Sequence, residues 1–274
     1  LFSVILLVYN NAHLLYGAID SVLMQNYSAI ELIVADDGSD TFPKEQIHEY
    51  IKNHSKGNLC QFTVYRNPKN LGTVRSANGA LHYAKGVYIK LLAADDAMHD
   101  TDTLCHAAEV LKQHPDSIVL GKVTKCDNAM RPLGDYHKSL MNKINELSSR
   151  ELFRRLCVHN DILAGSVFFH RSFFETYGYF DENYRLLEDW PTWLRAAQKG
   201  VRFFYAPFYA INYRANEGIG GSINNFYLQD KKRVLEEIII PARKELGYWY
   251  VLARLCYLFI NSQLVRRAYG LIFR

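Results

Sequence analysis

Glu31-Leu32-Ile33-Val34-Ala35-Asp36-Asp37-Gly38-Ser39 joins a short apolar run to two carboxylates and a turn. A run of that length bounded by turn residues reads as a strand buried on both faces. The pattern occurs twice more. Ser3-Val4-Ile5-Leu6-Leu7-Val8-Tyr9-Asn10 stops at a polar Tyr-Asn pair, and Tyr88-Ile89-Lys90-Leu91-Leu92-Ala93-Ala94-Asp95-Asp96 ends again in paired carboxylates. Polar residues spilling from the C-terminal ends of several such strands describe an α/β sheet with a ligand crevice along that edge.

The intervening segments fit this reading. Residues 12–25 place Leu14, Leu15, Ala18, Ile19, Val22 and Leu23 at helical spacing, and 44–52 and 74–84 read as further helices. Residues 60–65 form a strand and 66–72 a polar loop. Alternating strands and helices call for a mainly parallel sheet with crossover helices. In the second half, helices are predicted at 102–114, 149–157 and 189–199, and strands at 117–123, 165–170 and 201–213. The helix at 149–157 has a capping-type start in Ser149-Arg150-Glu151. Residues 128–148 read as an irregular, mobile loop, and from Asn225 onward the chain is helical.

Composition narrows the function classes. A hydrophobic fraction of 49% over 274 residues supports a substantial core. The 32 basic and 28 acidic residues leave a net charge of +4, dispersed along the chain, which is no nucleic-acid footprint. Five scattered cysteines without a Cys-x-x-Cys pair predict free thiols in a reducing compartment rather than disulfides or structural zinc. No run of 18 apolar residues occurs, so no membrane span is expected. The chain starts without a basic segment or a small-residue cleavage site, so no leader is expected, and its first residue, Leu1, fits a trimmed chain. There is neither a Gly-x-Gly-x-x-Gly fingerprint nor a Walker motif, which speaks against a dehydrogenase or an NTPase.

Five groups of residues carry chemistry. Asp36-Asp37 can accept hydrogen bonds from a base and a ribose, or can simply build an Asx-turn. Asp95-Asp96 can hold a divalent cation, or cap a turn. Asn70-Leu71-Gly72-Thr73-Val74-Arg75 opens a helix at which Arg75 can meet a phosphate, with an exposed helix arginine as the alternative. Glu188-Asp189-Trp190-Pro191-Thr192-Trp193 suits a general base, Asp189, beside a stacking platform from Trp190 or Trp193, with a helix cap as the alternative. Arg214, ahead of a glycine-rich stretch (Gly218, Gly220, Gly221) and Ser222, reads as a cation on a flexible loop over a diphosphate, or as part of a plain surface loop.

Together these pieces resemble the inverting glycosyltransferases of GT-A fold called family 2. The resemblance lies in residues 3–11, Ser21-Val22-Leu23-Met24-Gln25-Asn26-Tyr27, 31–39, 70–78, Ala84-Lys85-Gly86-Val87-Tyr88-Ile89, Asp95-Asp96 and Glu188-Asp189, and spans about residues 3–215. It implies a Rossmann-like, mainly parallel sheet flanked by helices. The GT-A domain would cover 1–224, with a nucleotide-binding half (1–100) and an acceptor half (101–224), followed by a helical extension at 225–274. It implies a nucleotide-sugar pocket at Tyr9, Asp36, Asp37, Arg75, Asp95 and Arg214, and Mn²⁺ or Mg²⁺ near Asp96. Asp189 would be the catalytic base beside Glu188, with an acceptor side at Gly165, Ser166 and Trp190. The chain departs from the family's Asp-x-Asp, because Ala93 stands at the first position. Fewer protein carboxylates mean weaker metal binding.

The activity so implied is inverting transfer of a hexose or hexosamine from a nucleotide-diphosphate donor, a UDP-sugar, to a hydroxyl of a glycan or lipid-linked glycan in surface polysaccharide assembly. The expected location is cytoplasmic, at the inner face of the cell membrane. The aromatics, leucines and arginines of 248–274 suit helices lying on an anionic membrane surface or packing against the domain or a partner. Two other classes compete. A sugar nucleotidyltransferase would need a glycine- and arginine-rich phosphate loop after the first strand, where Val8-Tyr9-Asn10-Asn11 stands. A catalytically decayed nucleotide-sugar-binding or scaffold subunit is prompted by Ala93 and opposed by the intact acid pairs.

Overall fold

A computed structural model of the chain describes residues 1–136, 139–215 and 225–261, with side chains described as far as 258. Strands β1 (Phe2–Val8), β2 (Ile30–Asp36), β3 (Leu59–Arg66) and β4 (Tyr88–Ala93) pair in parallel in the order β3-β2-β1-β4. They are joined by helices α1 (Leu15–Leu23), α2 (Lys44–His54) and α3 (Thr73–Tyr83). Side chains alternate across the sheet. Phe2, Val4, Leu6 and Val8 pack against α1 and α2, while Ile5 packs on the α3 side. Helices cover both faces, which explains why these strands read as unbroken apolar runs.

The sheet continues through β5 (Ala97–Met98), α4 (Thr103–Gln113), β6 (Ser117–Cys126), β7 (Pro132–Asp135), α5 (Ser149–Val158), β8 (Val167–His170), α6 (Ser172–Tyr177), α7 (Trp190–Gln198) and β9 (Arg202–Arg214). β8 lies antiparallel between β4 and β6, and β9 runs parallel to β6. Two reversals restore direction, so β4, β6 and β9 point the same way as β1, β2 and β3. Their C-terminal ends, together with the start of β8, therefore share one edge. The register of β9 on β6 shifts after Leu120, where Pro207, which has no N–H for the ladder, stands.

Several boundaries differ from expectation. α1 starts at Leu15, after a turn. The cap of α5 is Ser148, not Ser149. Its side chain accepts from the Glu151 N–H while Glu151 accepts from the Ser148 N–H, and that reciprocal box needs a three-residue spacing. The stretch expected as an irregular loop contains β7, paired with β6, and a 3₁₀ turn at Ile144–Glu146. β5 and α6 are too short to leave a periodic signal.

Among the described residues the chain from Asn225 to Asn261 is mainly helical, as expected: α8 (Asn225–Val234), a π-helical segment Leu235–Ile239, α9 (Arg243–Leu246) and α10 (Tyr248–Asn261); the rest of the expected helical extension lies outside the described residues. Val234, Leu235, Ile238, Ile239, Leu246 and Ala253 join the core formed by α3, α5 and α7. Among the described residues, no helix is long and apolar enough to cross a membrane.

Candidate active site

At the β1 and β2 ends the acids are locked into turns. Asp36 is buried and accepts from the Ser39 N–H at 3.0 Å and from the Ser39 hydroxyl, with Arg66 Nε at 3.4 Å. Asp37 accepts from Asn67 Nδ2 (3.0 Å) and from the backbone N–H groups of Leu71 and Gly72 (2.9 Å each). It thus ties the polar loop 67–72 onto the strand end. Gly38 is required there: its φ is +72°, and a Cβ would lie 2.4 Å from the Lys69 carbonyl carbon. Tyr9, at the end of β1, leaves its ring 46% exposed over this edge. Arg75, in the first turn of α3, pairs at 3.5 Å with Glu182, and both side chains are more than half exposed.

Asp95 and Asp96 follow β4 and are buried. Asp96 Oδ1 accepts from the Arg214 N–H at 2.9 Å, and Arg214 Nε donates to the Asp95 carbonyl at 2.9 Å. The Arg214 guanidinium also donates to the Asn128 carbonyl. Burial, helped by the Asp95 charge, raises the Asp96 carboxyl to about 7, against the opposing Arg214 N–H and the charges of Lys90 and Arg214. Lys90, buried within β4, donates to the carbonyls of Gly165 and Val167 and lies 4.4 Å from the centre of the Phe168 ring. Burial lowers its ammonium to about 7, opposed by Asp96. Gly165 sits directly beside the acid: a Cβ there would lie 3.6 Å from Asp96 Oδ2 and would collide with Ile211. Ser166 is buried and donates to the Leu163 carbonyl.

Glu188 and Asp189 stand at the entry to α7. Asp189 caps the helix, accepting from the Trp190 N–H at 2.6 Å and from Asn160 Nδ2 at 2.7 Å. Loss of hydration raises both carboxyls, and the neighbouring Asp189 adds to the rise at Glu188. For Asp189, the hydrogen bonds and the Lys231 charge act the other way.

Two links bring this pair to the same edge. Asn160 holds Asp189, and five residues later Gly165 abuts Asp96, so that link spans at most roughly 18 Å even if fully extended. On the other side, the loop held by Asp37 touches Arg185, three residues before Glu188.

Several expectations are corrected by these contacts. Trp190 is only 9% exposed, with its indole N–H donating to the Leu156 carbonyl at 2.7 Å. Trp193 is buried against Phe169 and Phe203. Both tryptophans are core residues, because α7 needs an apolar face against the sheet, so neither offers an exposed platform. The exposed ring at the edge is Tyr9. Arg214 is the last residue of β9 and only 8% exposed, a fixed brace rather than a loop cation. Gly218, Gly220, Gly221 and Ser222 lie outside the described residues. Lys90 and Asn160 were not anticipated. A lysine inside an apolar strand run was the available signal for Lys90, whereas nothing local marks Asn160.

Among the described residues, no group of three or more His, Cys, Asp or Glu side chains could hold a metal ion. Asp95 and Asp96 offer hard oxygen ligands and fit Mg²⁺ or Mn²⁺ as a partial set, which substrate phosphates and water would complete.

The family described as glycosyl transferase family 2 matches residues 3–178. A PGL/p-HBAD biosynthesis glycosyltransferase of Mycobacterium bovis is 27% identical over 191 residues, covering 69% of this chain and 67% of that protein. In structure, S. aureus TarS 1–349 in complex with UDP-GlcNAc superposes with a TM-score of 0.72 at 19% identity, covering 98% of this chain and 78% of that one. The mannosyltransferase PcManGT from Pyrobaculum calidifontis, in complex with GDP-Man and Mn²⁺, gives 0.64 at 18% identity, covering 100% and 80%. This chain spans 44% of the longer S. aureus TarS chain. The architecture shared with both is the GT-A type, a Rossmann-like sheet flanked by helices.

Proposed function

The chain belongs to glycosyl transferase family 2, and on that premise we propose that it moves a sugar, with inversion, from a nucleotide diphosphate to a hydroxyl of a glycan or lipid-linked glycan. The observation that supports this reading is that Asp36–Asp37 and Asp95–Asp96 end neighbouring parallel strands beside the exposed Tyr9, with Glu188–Asp189 tied toward the same edge through Asn160 and Arg185. The three pairs differ in their surroundings, as different tasks require.

Tyr9 stacks on the base of the nucleotide, and Asp36 and Asp37 accept from base or ribose with their remaining lone pairs. Arg75 exchanges its exposed partner Glu182 for a phosphate. Asp95 and Asp96 would hold a divalent cation, which would supply positive charge to the departing diphosphate. Arg214, fixed behind them, adds positive charge at the same place. Gly165 and Ser166 form the acceptor side, where the missing side chain at Gly165 lets the backbone approach Asp96 and Ile211 closely. Asp189 takes the proton of the acceptor hydroxyl as its oxygen attacks the anomeric carbon, while the bond from that carbon to the diphosphate oxygen breaks on the opposite face. A single displacement of this kind inverts the configuration.

The donor class is a UDP-sugar carrying a hexose or hexosamine; UDP-GlcNAc in TarS supports the uridine nucleotide, while GDP-Man in PcManGT supports a nucleotide sugar only in general. A biosynthetic glycosyltransferase role is supported by the mycobacterial relative, and surface polysaccharide assembly at the inner face of the membrane is a reading supported by α10. Tyr248, Val251, Leu255 and Leu258 form one exposed apolar face of that helix. Of the arginines assigned to membrane contact, Arg254 lies on α10, while Arg266, Arg267 and Arg274 lie outside the described residues.

The test is a thermal-shift panel of UDP, UDP-GlcNAc, UDP-glucose and GDP-mannose, each with Mn²⁺, Mg²⁺ or EDTA. A ligand that binds only the folded state raises its stability by RT ln(1 + [L]/Kd). A metal-dependent shift with UDP or a UDP-sugar is expected. Folded protein that shifts with no nucleotide would instead favour a decayed scaffold subunit, as Ala93 first prompted.

A further inference from the structure

Asp230, on α8, is 4% exposed, and its partners are backbone amides rather than a basic side chain. The Arg185 N–H lies 3.1 and 3.0 Å from its two oxygens, the Leu186 N–H at 2.6 Å and the Leu187 N–H at 3.1 Å. Three consecutive N–H groups converging on one carboxylate make an anion nest. Charge-assisted bonds of this kind are roughly twice as strong as neutral ones. The next two residues in the chain are Glu188 and Asp189.

The same short segment also reaches the opposite wall. Arg185 Nη2 donates to the Asn70 side-chain oxygen at 2.6 Å and to the Asn70 carbonyl at 3.3 Å. Its guanidinium lies 4.5 Å from the centre of the Phe226 ring of α8. The Arg185 carbonyl accepts from the Val74 N–H at 3.2 Å, and a Cβ on Gly72 would sit 2.5 Å from that carbonyl oxygen. Asn70 and Gly72 belong to the loop that Asp37 holds. Lys231, next to Asp230, places its charge toward Asp189.

We propose that Asp230 is a positioning residue for transfer: it fixes the backbone that presents Glu188 and Asp189 and, through Arg185, sets that pair against the nucleotide loop. α8 is then a working part of the catalytic unit rather than an appendage. The inference rests on the assignment of Asp189 as base.

The test compares Asp230→Asn, Arg185→Gln and Asp189→Asn with the unmodified chain. The readouts are release of nucleoside diphosphate from UDP-GlcNAc or GDP-mannose, with water as acceptor, and amide hydrogen exchange. Asn at 230 keeps one acceptor oxygen and turns an amino group toward the N–H cluster. In Asp230→Asn, amides 185–187 are expected to exchange faster while β1 and β2 stay protected. Turnover, kcat, should fall about tenfold or more with KM for the nucleotide sugar within about threefold. Arg185→Gln removes the bridge to Asn70 and the contact with Phe226 but leaves the backbone nest on Asp230 intact, so KM should rise about fivefold with kcat within about twofold. A purely structural tie would lower kcat and raise KM together in both variants, and that result overturns the proposal. So does Asp230→Asn with opened amides and kcat within about twofold of the unmodified chain. If Asp230→Asn does not fold, Arg185→Gln decides, and an unchanged KM sinks the coupling. Turnover that survives Asp189→Asn overturns the base assignment and the inference with it. Loss in Asp189→Asn but not in Asp230→Asn overturns the inference alone.

Discussion

The two halves of the site hold their acids in opposite ways. On the β1–β2 side, the oxygens of Asp36 and Asp37 are occupied by turn amides, a hydroxyl and side-chain N–H donors, all within the polypeptide that makes the edge. On the α7 side, Glu188 and Asp189 sit side by side with less hydration, and both carboxyls are raised. Acids braced by turn donors, with a lone pair left over, make a fixed surface for recognising a ligand. Raised and paired acids are suited to exchanging protons. On the proposed reading, recognition and proton transfer are separated by environment rather than by residue type.

The comparison breaks most sharply at Asp189. Asn is as good a helix cap as Asp, so Asp189→Asn keeps α7 in place while removing the charge that takes the proton. Turnover is expected to fall about 10³-fold, within the range of general-base contributions, with nucleotide-sugar binding retained. The check is steady-state kinetics beside a thermal shift with the nucleotide. Turnover within a few-fold of normal would leave Asp189 with only its cap.

On the recognition side, Asp37→Ala should act through stability and binding. The Leu71 and Gly72 N–H groups lose their acceptor, at a cost of about 2 kcal/mol, because the loop is partly buried. Denaturant melts should show this loss, and UDP affinity should drop with it. A fall in kcat at saturating nucleotide sugar would mean that the two sides are not separable in this way.

How far this division was legible in the sequence follows the same boundary. The recognition acids end contiguous apolar strands, so strand, turn and carboxylate could be read from one nine-residue window such as 31–39. The second half depends on contacts distant in sequence. Asn160 meets Asp189 across 29 residues, and Arg185 meets Asn70 across 115. No local window carries such pairings. Misreading Trp190 and Trp193 as a platform has the same origin. Two aromatics beside two acids look alike in sequence whether they face solvent or the core, and only the packing of α7 on β8 and β9 tells them apart.

The raised acids Glu188 and Asp189 give a pH signature of their own. A carboxyl whose folded value lies above its unfolded one binds its proton more tightly in the folded state. Its contribution to stability is therefore complete at acid pH and is lost as pH rises past the ordinary carboxylate range. Glu188→Gln cannot titrate. Relative to the unmodified chain, its Tm should rise progressively between pH 5 and pH 9, by a few degrees at the alkaline end. A Tm difference that stays flat over that range would mean Glu188 is not raised.

The smallest effect expected lies on the recognition side, at Arg75. Its pair with Glu182 is more than half exposed on both partners, and such surface pairs contribute about 0–1 kcal/mol. Arg75→Gln should therefore leave Tm almost unchanged. If Arg75 leaves Glu182 to meet a phosphate, UDP affinity should weaken about threefold while uridine, which has no phosphate, binds as before. Raising the salt concentration should shrink the difference, since an exposed charge is screened over about 8 Å at physiological ionic strength. Equal weakening of UDP and uridine would place Arg75 among the turn-bracing residues beside Asp36. The recognition surface would then be made of uncharged contacts and backbone, with phosphate charge met only by the fixed Arg214 and by the cation at Asp95 and Asp96.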